Sequence, residues 1–187
     1  MAGDARARMI EGAVRLLAQK GLQATSFSEV LDLTKAPRGS IYHHFPQGKD
    51  QMVAAAIELA GERTRLRLEE ARGRSAVEVT TYFLGLWRAL LTHTEFTTGC
   101  SVTAVTVASD SAELLAGASA VFHSWNTQLA DLLVAGGLSP AAAKIFATTL
   151  IAACEGAVIL SRAEKDIEPF DTVAGHMVEL VGLLSAR

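Results

Sequence analysis

Thr34-Lys35-Ala36-Pro37-Arg38-Gly39-Ser40-Ile41-Tyr42-His43-His44-Phe45-Pro46-Gln47-Gly48-Lys49 is the stretch on which the fold turns. Proline lacks an amide proton, fixes its own φ and drives the residue before it away from helical backbone. A helix therefore ends before Pro37 and another starts directly after it. The new helix is short, because Pro46-Gln47-Gly48 is a turn cluster. Within it Ile41 and Phe45 stand four apart on one face and point into a core.

Upstream, Ser26 and Glu29 have capping-box spacing, and Phe27, Val30 and Leu31 supply the buried face of a helix of about two turns. Before that, Met9, Ala13, Leu16 and Leu17 share a helical face while Arg8, Glu11, Arg15 and Gln19 lie elsewhere. Gly21 ends this first helix as a left-handed cap. Three short helices with a tight turn between the second and third make a helix-turn-helix head, expected over residues 1–48. Downstream, long stretches with few breakers divide residues 49–187 into six helices, near 49–71, 75–94, 100–109, 111–135, 140–164 and 168–186. The third of these is contested by propensity, since Val102-Thr103-Ala104-Val105-Thr106-Val107 is β-branched and nearly alternating. A helix is expected there because no second strand exists to satisfy its backbone. The fold class expected is all-α, with a three-helix head and a helical body.

Charge divides along the same boundary. Residues 1–49 hold seven Lys or Arg against four acidic residues, a balance of +3, and the remainder holds ten against sixteen, or −6. A basic head on an acidic body suits a protein that touches phosphate with one end. Half the residues are hydrophobic and 20% charged, so an elongated helical monomer would leave apolar surface that a partner must cover. Cys100 and Cys154 lack metal-pair spacing and no secretory leader precedes them, so reduced thiols in a cytoplasm are expected. The longest uncharged apolar run, between Lys144 and Glu155, is shorter than the ~18 residues of a membrane span. No membrane association is expected.

Gly39-Ser40-Ile41-Tyr42-His43-His44-Phe45, followed by Lys49, resembles the recognition helix and following lysine of the TetR family of transcriptional repressors. Gly21, Ser26, Val30 and Leu31 also match that family's first-helix terminus and second-helix contacts, and the similarity covers residues 7–55. The residues carry the chemistry unaided: Arg38 and Ser40 open the helix expected to enter the major groove, where arginine grips guanine bidentately. Tyr42, His44 and Lys49 are spaced to meet phosphates, and Gly39 lets the backbone come close. The resemblance adds Ser26 to the phosphate contacts, and Ser28 and Lys35 beside Arg38 to the base contacts. Three departures stand out: Lys35 where the family often has glycine, Pro37 where it often has a serine or other polar residue, and an extra residue in Pro46-Gln47-Gly48-Lys49, which alters the lysine's reach. The competing reading is that Tyr42-His43-His44 is an aromatic helix end packed on the first helix and Arg38 a solvated charge.

In residues 140–164, Ala142, Ile145, Phe146, Thr149, Ala152, Ala153, Gly156, Ile159 and Leu160 recur at three- and four-residue steps. Phe170, Val173, Met177, Leu180, Val181 and Leu184 do so in 168–186. With their symmetry mates these faces would build a four-helix homodimer interface; the alternative is packing within one monomer. Phe83, Trp87, Leu91, Cys100, Phe122, Trp125, Phe146 and Cys154, with polar Asn126 and Glu155, are candidates to line a pocket for a small apolar or aromatic effector. A filled core is the competing reading. The Gly99-Cys100 junction is similar to the branch with drug-resistance and flavonoid-responsive repressors. The expected function is a ligand-responsive repressor, homodimeric on palindromic double-stranded operator DNA. The alternative is a helical ligand carrier or adaptor without DNA binding. Catalysis is not expected, as His176 and Glu179 lack partner carboxylates and no zinc, phosphate-loop or nucleophile motif is present. No metal or cofactor is expected.

Overall fold

The computed structural model describes residues 2–186, and these contain nine α-helices and no strand. In chain order they are α1 (Ala2–Lys20), α2 (Phe27–Thr34), α3 (Arg38–His44), α4 (Lys49–Glu69), α5 (Ala76–His93), α6 (Ser101–Ala108), α7 (Ala112–Ala135), α8 (Pro140–Glu164) and α9 (Glu168–Ser185). The all-α class is as expected, and every body helix ends within two residues of its expected bounds. The strand-like stretch Val102–Val107 lies inside α6. A helix satisfies its amides locally, which a lone strand cannot do. Cys100 begins it, its sulfur accepting the Thr103 N–H at 3.4 Å.

Two compact units form, one of residues 1–63 with 100–122 and one of 64–99 with 123–187. In the first, α1 packs on α2, α3 and α6. Met9, Ala13, Leu16 and Leu17 of α1 meet Val30, Leu31, Ile41 and Phe45 in its core, all buried. Gly21 ends α1 with φ +80°, as the cap signal implied. Only half of the expected capping box forms at α2. The Ser26 hydroxyl oxygen accepts the Glu29 N–H at 3.2 Å, but the Glu29 carboxylate turns away to the Lys20 ammonium at 2.8 Å. Phe27 is half-buried rather than buried, because its ring serves as a platform for Tyr42.

In the second unit, α8 packs on α9 and α5 packs on both. Phe83, Leu91, Phe146, Leu150, Phe170 and Met177 anchor its core. Ser139 caps α8, accepting the Ala142 N–H, and Pro140 fills the first helical position, where its missing amide costs nothing. The buried Ser161 hydroxyl oxygen accepts the Phe170 N–H at 3.0 Å and fixes the start of α9 against the end of α8. The α9 stripe read as an interface face largely turns inward: Phe170, Met177 and Val181 are buried, and Val173, Leu180 and Leu184 pack against the same core. Among the described residues α8 is the one helix long and apolar enough to cross a membrane by length and composition, and one of its faces is buried in this core.

Candidate nucleic-acid interface

The turn between α2 and α3 needs a residue in left-handed backbone, and Lys35 supplies it with φ 54° and ψ 29°. That conformation costs a non-glycine residue about 1–2 kcal/mol. Lys35→Gly is expected to raise the unfolding free energy by about 1 kcal/mol, read from chemical denaturation, while removing an exposed ammonium from this edge and weakening duplex binding at low salt. Pro37 follows in extended backbone (φ −62°, ψ 133°) and starts α3 without a side-chain cap.

Ile41 and Phe45 are both fully buried, and two anchors one turn apart fix the rotation of α3 about its axis. Gly39, Tyr42 and His43 are thereby exposed, and Ser40 and His44 half-buried; Arg38 lies on the anchors' own face but is exposed at the start of the helix. Tyr42 is 69% exposed and its ring meets Phe27 of α2 edge-on at 5.5 Å, so it does not pack on the first helix as the competing reading required. The His43 and His44 rings stand 5.4 Å apart. A Cβ placed on Gly39 would meet nothing within 4 Å, so internal packing does not demand a glycine there. A backbone that must approach an external surface does.

Ser28 and Lys35 are exposed, and Ser26 is half-buried. Lys49 is committed in part to the fold: its ammonium donates to the Leu22 carbonyl at 2.7 Å, tying the first residue of α4 to the loop after α1. Two of its N–H groups remain for an external acceptor. The Arg6 guanidinium lies 5.5 Å from the Phe45 ring centroid, a further cation at this end that sequence reasoning did not single out.

Of the ten body residues expected around an effector, Phe83, Leu91, Phe146 and Cys154 lie in the second unit's packed core, with Trp87 half-buried against it. Trp125, buried, and Asn126 and Glu155, half-buried, belong to the same unit. The Asn126 amide donates to the Thr148 hydroxyl at 2.7 Å, joining α7 to α8. Cys100 and Phe122 belong to the first unit. A cleft of about 310 Å3 in the second unit is lined by none of the ten, but by polar groups including Arg65, Glu69, Arg72, Gln128 and Asp131. There the Arg72 guanidinium hydrogen-bonds the Glu69 carboxyl and holds its pKa below the usual value. The Gln128 amide donates to the Arg65 carbonyl at 3.0 Å, and its own oxygen is buried without a partner. A search for apolar register passes over such a cleft, whose charged groups converge from separate helices. No cluster of His, Cys, Asp or Glu suited to a metal occurs among the described residues.

Known proteins bear on this geometry in two segments. The family described as "Bacterial regulatory proteins, tetR family" matches residues 9–56, which hold the head. That described as "Transcriptional regulator LmrA/YxaF-like, C-terminal domain" matches residues 76–176. An uncharacterised HTH-type transcriptional regulator of Mycobacterium tuberculosis is 36% identical over 94% of this chain and 93% of its own. The YxaF regulator of Bacillus subtilis is 28% identical over 96% of each chain. The fold is that of the regulatory protein TetR from Rhodobacter sphaeroides, with TM-score 0.84 at 21% identity over 94% of this chain and 97% of that one. These relatives are transcriptional regulators and not enzymes. With its helix-turn-helix head and LmrA/YxaF-like body, the chain belongs to the TetR family of DNA-binding transcriptional regulators.

Proposed function

We propose that the protein is a repressor that binds a palindromic operator as a homodimer and is released by a small apolar or aromatic effector. Residues 1–48 are assigned to DNA and 49–187 to dimerisation and effector binding, in a cytoplasm. The observation that carries the DNA reading is the α3 surface: two buried anchors hold Gly39, Tyr42 and His43 outward, Arg38 is exposed at the helix start, and residues 1–49 carry a net charge of +3. Arg38 and Ser40, with Ser28 and Lys35, read bases; Ser26, Tyr42, His44 and Lys49 hold phosphates.

The partner is a second copy of the chain, and α8 supports this. Ile145, Ile159 and Leu160 are 70%, 56% and 51% exposed, and Thr149, Ala152 and Gly156 continue the same stripe, also exposed. Leu183 of α9 is 66% exposed. A Cβ at Gly156, Gly175 or Gly182 would meet nothing within the monomer, leaving room for close helix approach. Two heads on one duplex face must present their helices about 34–36 Å apart. An effector acts by preferring a different spacing. Switching occupancy from 1:99 to 99:1 needs about 10,000-fold preference for one state. The large apolar side chains of the second unit, with Phe83 and Phe146 in its core, Trp87 against it and Trp125 buried, are what the apolar-effector reading rests on.

Selection of bound duplexes from a random pool tests the reading. One enriched inverted repeat is expected, with affinity falling steeply as salt rises. Arg38→Ala should cost about 1–3 kcal/mol of discrimination at one base pair in each half-site. Retention on no duplex at low ionic strength would instead favour an effector-binding adaptor.

A further inference from the structure

Ser26, which caps the start of α2, and Ser40, in the first turn of α3, have opposite hydrogen-bond polarity. Ser26 spends its acceptor on the Glu29 N–H at 3.2 Å, which leaves its hydroxyl proton free. Ser40 is the reverse. Its Oγ lies 2.6 Å from the Pro37 carbonyl oxygen. A carbonyl has no proton, so the one between these oxygens is the serine's own and the hydroxyl donates inward. The same carbonyl also accepts the Ser40 N–H at 3.0 Å, so backbone and side chain grip one acceptor together. What Ser40 offers outward, at a half-buried position on α3, is lone pairs alone.

The surface of a duplex is asymmetric in the same respect. Phosphate oxygens accept and never donate. In the major groove the donors are the exocyclic amines, N6 of adenine and N4 of cytosine. A hydroxyl whose proton is engaged has no favourable contact with phosphate, and none with guanine O6 or N7 or thymine O4. Ser26 is matched to phosphate and Ser40 is not. Arg38, two residues earlier on the same helix, offers donors only and is matched to guanine.

We propose that Ser40 is a sequence-specifying residue that accepts a hydrogen bond from an exocyclic base amine, adenine N6 or cytosine N4, and makes no phosphate contact. This rests on the reading of α3 as the groove-entering helix. Together with Arg38 it sets a polarity for the half-site: a guanine acceptor edge for Arg38 and an amine for Ser40. The alternative, a hydroxyl rotated to donate outward, must break the bond to Pro37 first.

The experiment couples protein and base variants. The operator is obtained by selection with the wild-type protein, and the base pair whose preference is lost in Ser40→Ala is located. At that pair, adenine is replaced by purine, or cytosine by the pyrimidinone lacking N4, and in separate duplexes the neighbouring acceptor is removed with a 7-deaza or deoxygenated base. Loss of the amine should weaken the wild type about fivefold, the equivalent of one neutral hydrogen bond, and leave Ser40→Ala unaffected. Loss of the acceptor should affect both proteins alike. Ser40→Thr, which keeps Oγ and its proton, should respond as the wild type does, and matching thermal midpoints exclude misfolding. If the wild type selects a site but Ser40→Ala changes no position, or couples to the acceptor rather than the amine, this inference falls while DNA recognition stands. If the wild type binds no duplex at low salt, recognition itself falls.

Discussion

Ile159→Asp is expected to halve the mass of the protein in solution and to abolish specific operator binding, if α8 forms the proposed two-fold interface. Ile159 is 56% exposed, so the monomer's own core does not depend on it and its fold survives the change. It lies on the outward stripe of α8 with Ile145, Thr149, Ala152, Gly156 and Leu160, in the register of one helix face. In a two-fold interface each substitution appears twice. An uncompensated buried charge costs about 3–5 kcal/mol, and two of them weaken association by at least about four orders of magnitude. Sedimentation at micromolar concentration should then report monomer. A lone head reads one half-site and loses the second, so affinity for the full operator falls to the level of non-specific binding. A variant that stays dimeric and binds normally would remove α8 from the interface. Ile145→Asp, about four turns away on the same stripe, should behave alike, whereas a charge at exposed Val107 of α6 should change neither mass nor affinity.

Helix positions were legible because the punctuation is local. Pro37, Gly21, Ser139-Pro140 and the Pro46-Gln47-Gly48 turn each act on the backbone within a few residues of themselves. α6 was legible only by elimination: its β-branched side chains argue for a strand, and what defeats them is the absence of a pairing partner. The α3 surface was legible because Ile41 and Phe45 orient their neighbours, and the structure bears out that orientation. Other features depend on distant residues and could not be read in sequence. Lys49 looks like a free ammonium until the loop after α1 brings the Leu22 carbonyl to it. Glu29 looks like half of a capping box until Lys20, from the previous helix, captures its carboxylate. The α9 pattern could not say whether its face turns to α5 and α8 of its own chain or to a partner, because an apolar stripe is the same in both cases. The polar cleft beside Gln128 has no periodic signal at all.

Gly136→Ala should lower the stability of the protein by about 3 kcal/mol, the upper end of overpacking costs, and its thermal midpoint by roughly 6–12 °C for a chain of this size. In sequence Gly136-Gly137 is only a helix-ending pair. The structure gives the first glycine a steric duty that the second lacks. A Cβ on Gly136 would sit 2.5 Å from the Ala76 nitrogen, 2.8 Å from the Ser75 carbonyl carbon and 2.9 Å from the Arg74 oxygen. All three are backbone atoms, which cannot swing aside as a side chain would. The approach is held by the Ala76 N–H, which donates to the Gly136 carbonyl at 2.9 Å. Yielding would displace Ser75, the N-cap of α5, and with it the capping box that Ser75 makes with Glu78. That box sets a second readout. The Ser75 hydroxyl and then its amide hold the Glu78 carboxyl below its ordinary pKa. A lowered carboxylate pKa stabilises the fold above the ordinary value and loses that contribution as pH falls through the lowered one. Displacing Ser75 should therefore make the variant's stability less dependent on pH on the acid side. Gly85→Ala separates this from a general glycine effect. Gly85 is an exposed position inside α5 where a Cβ meets nothing, and alanine there should stabilise by about 0.5–1 kcal/mol. Equal melting of the Gly136→Ala protein and the wild type would mean that the 74–76 backbone does not lie against this turn.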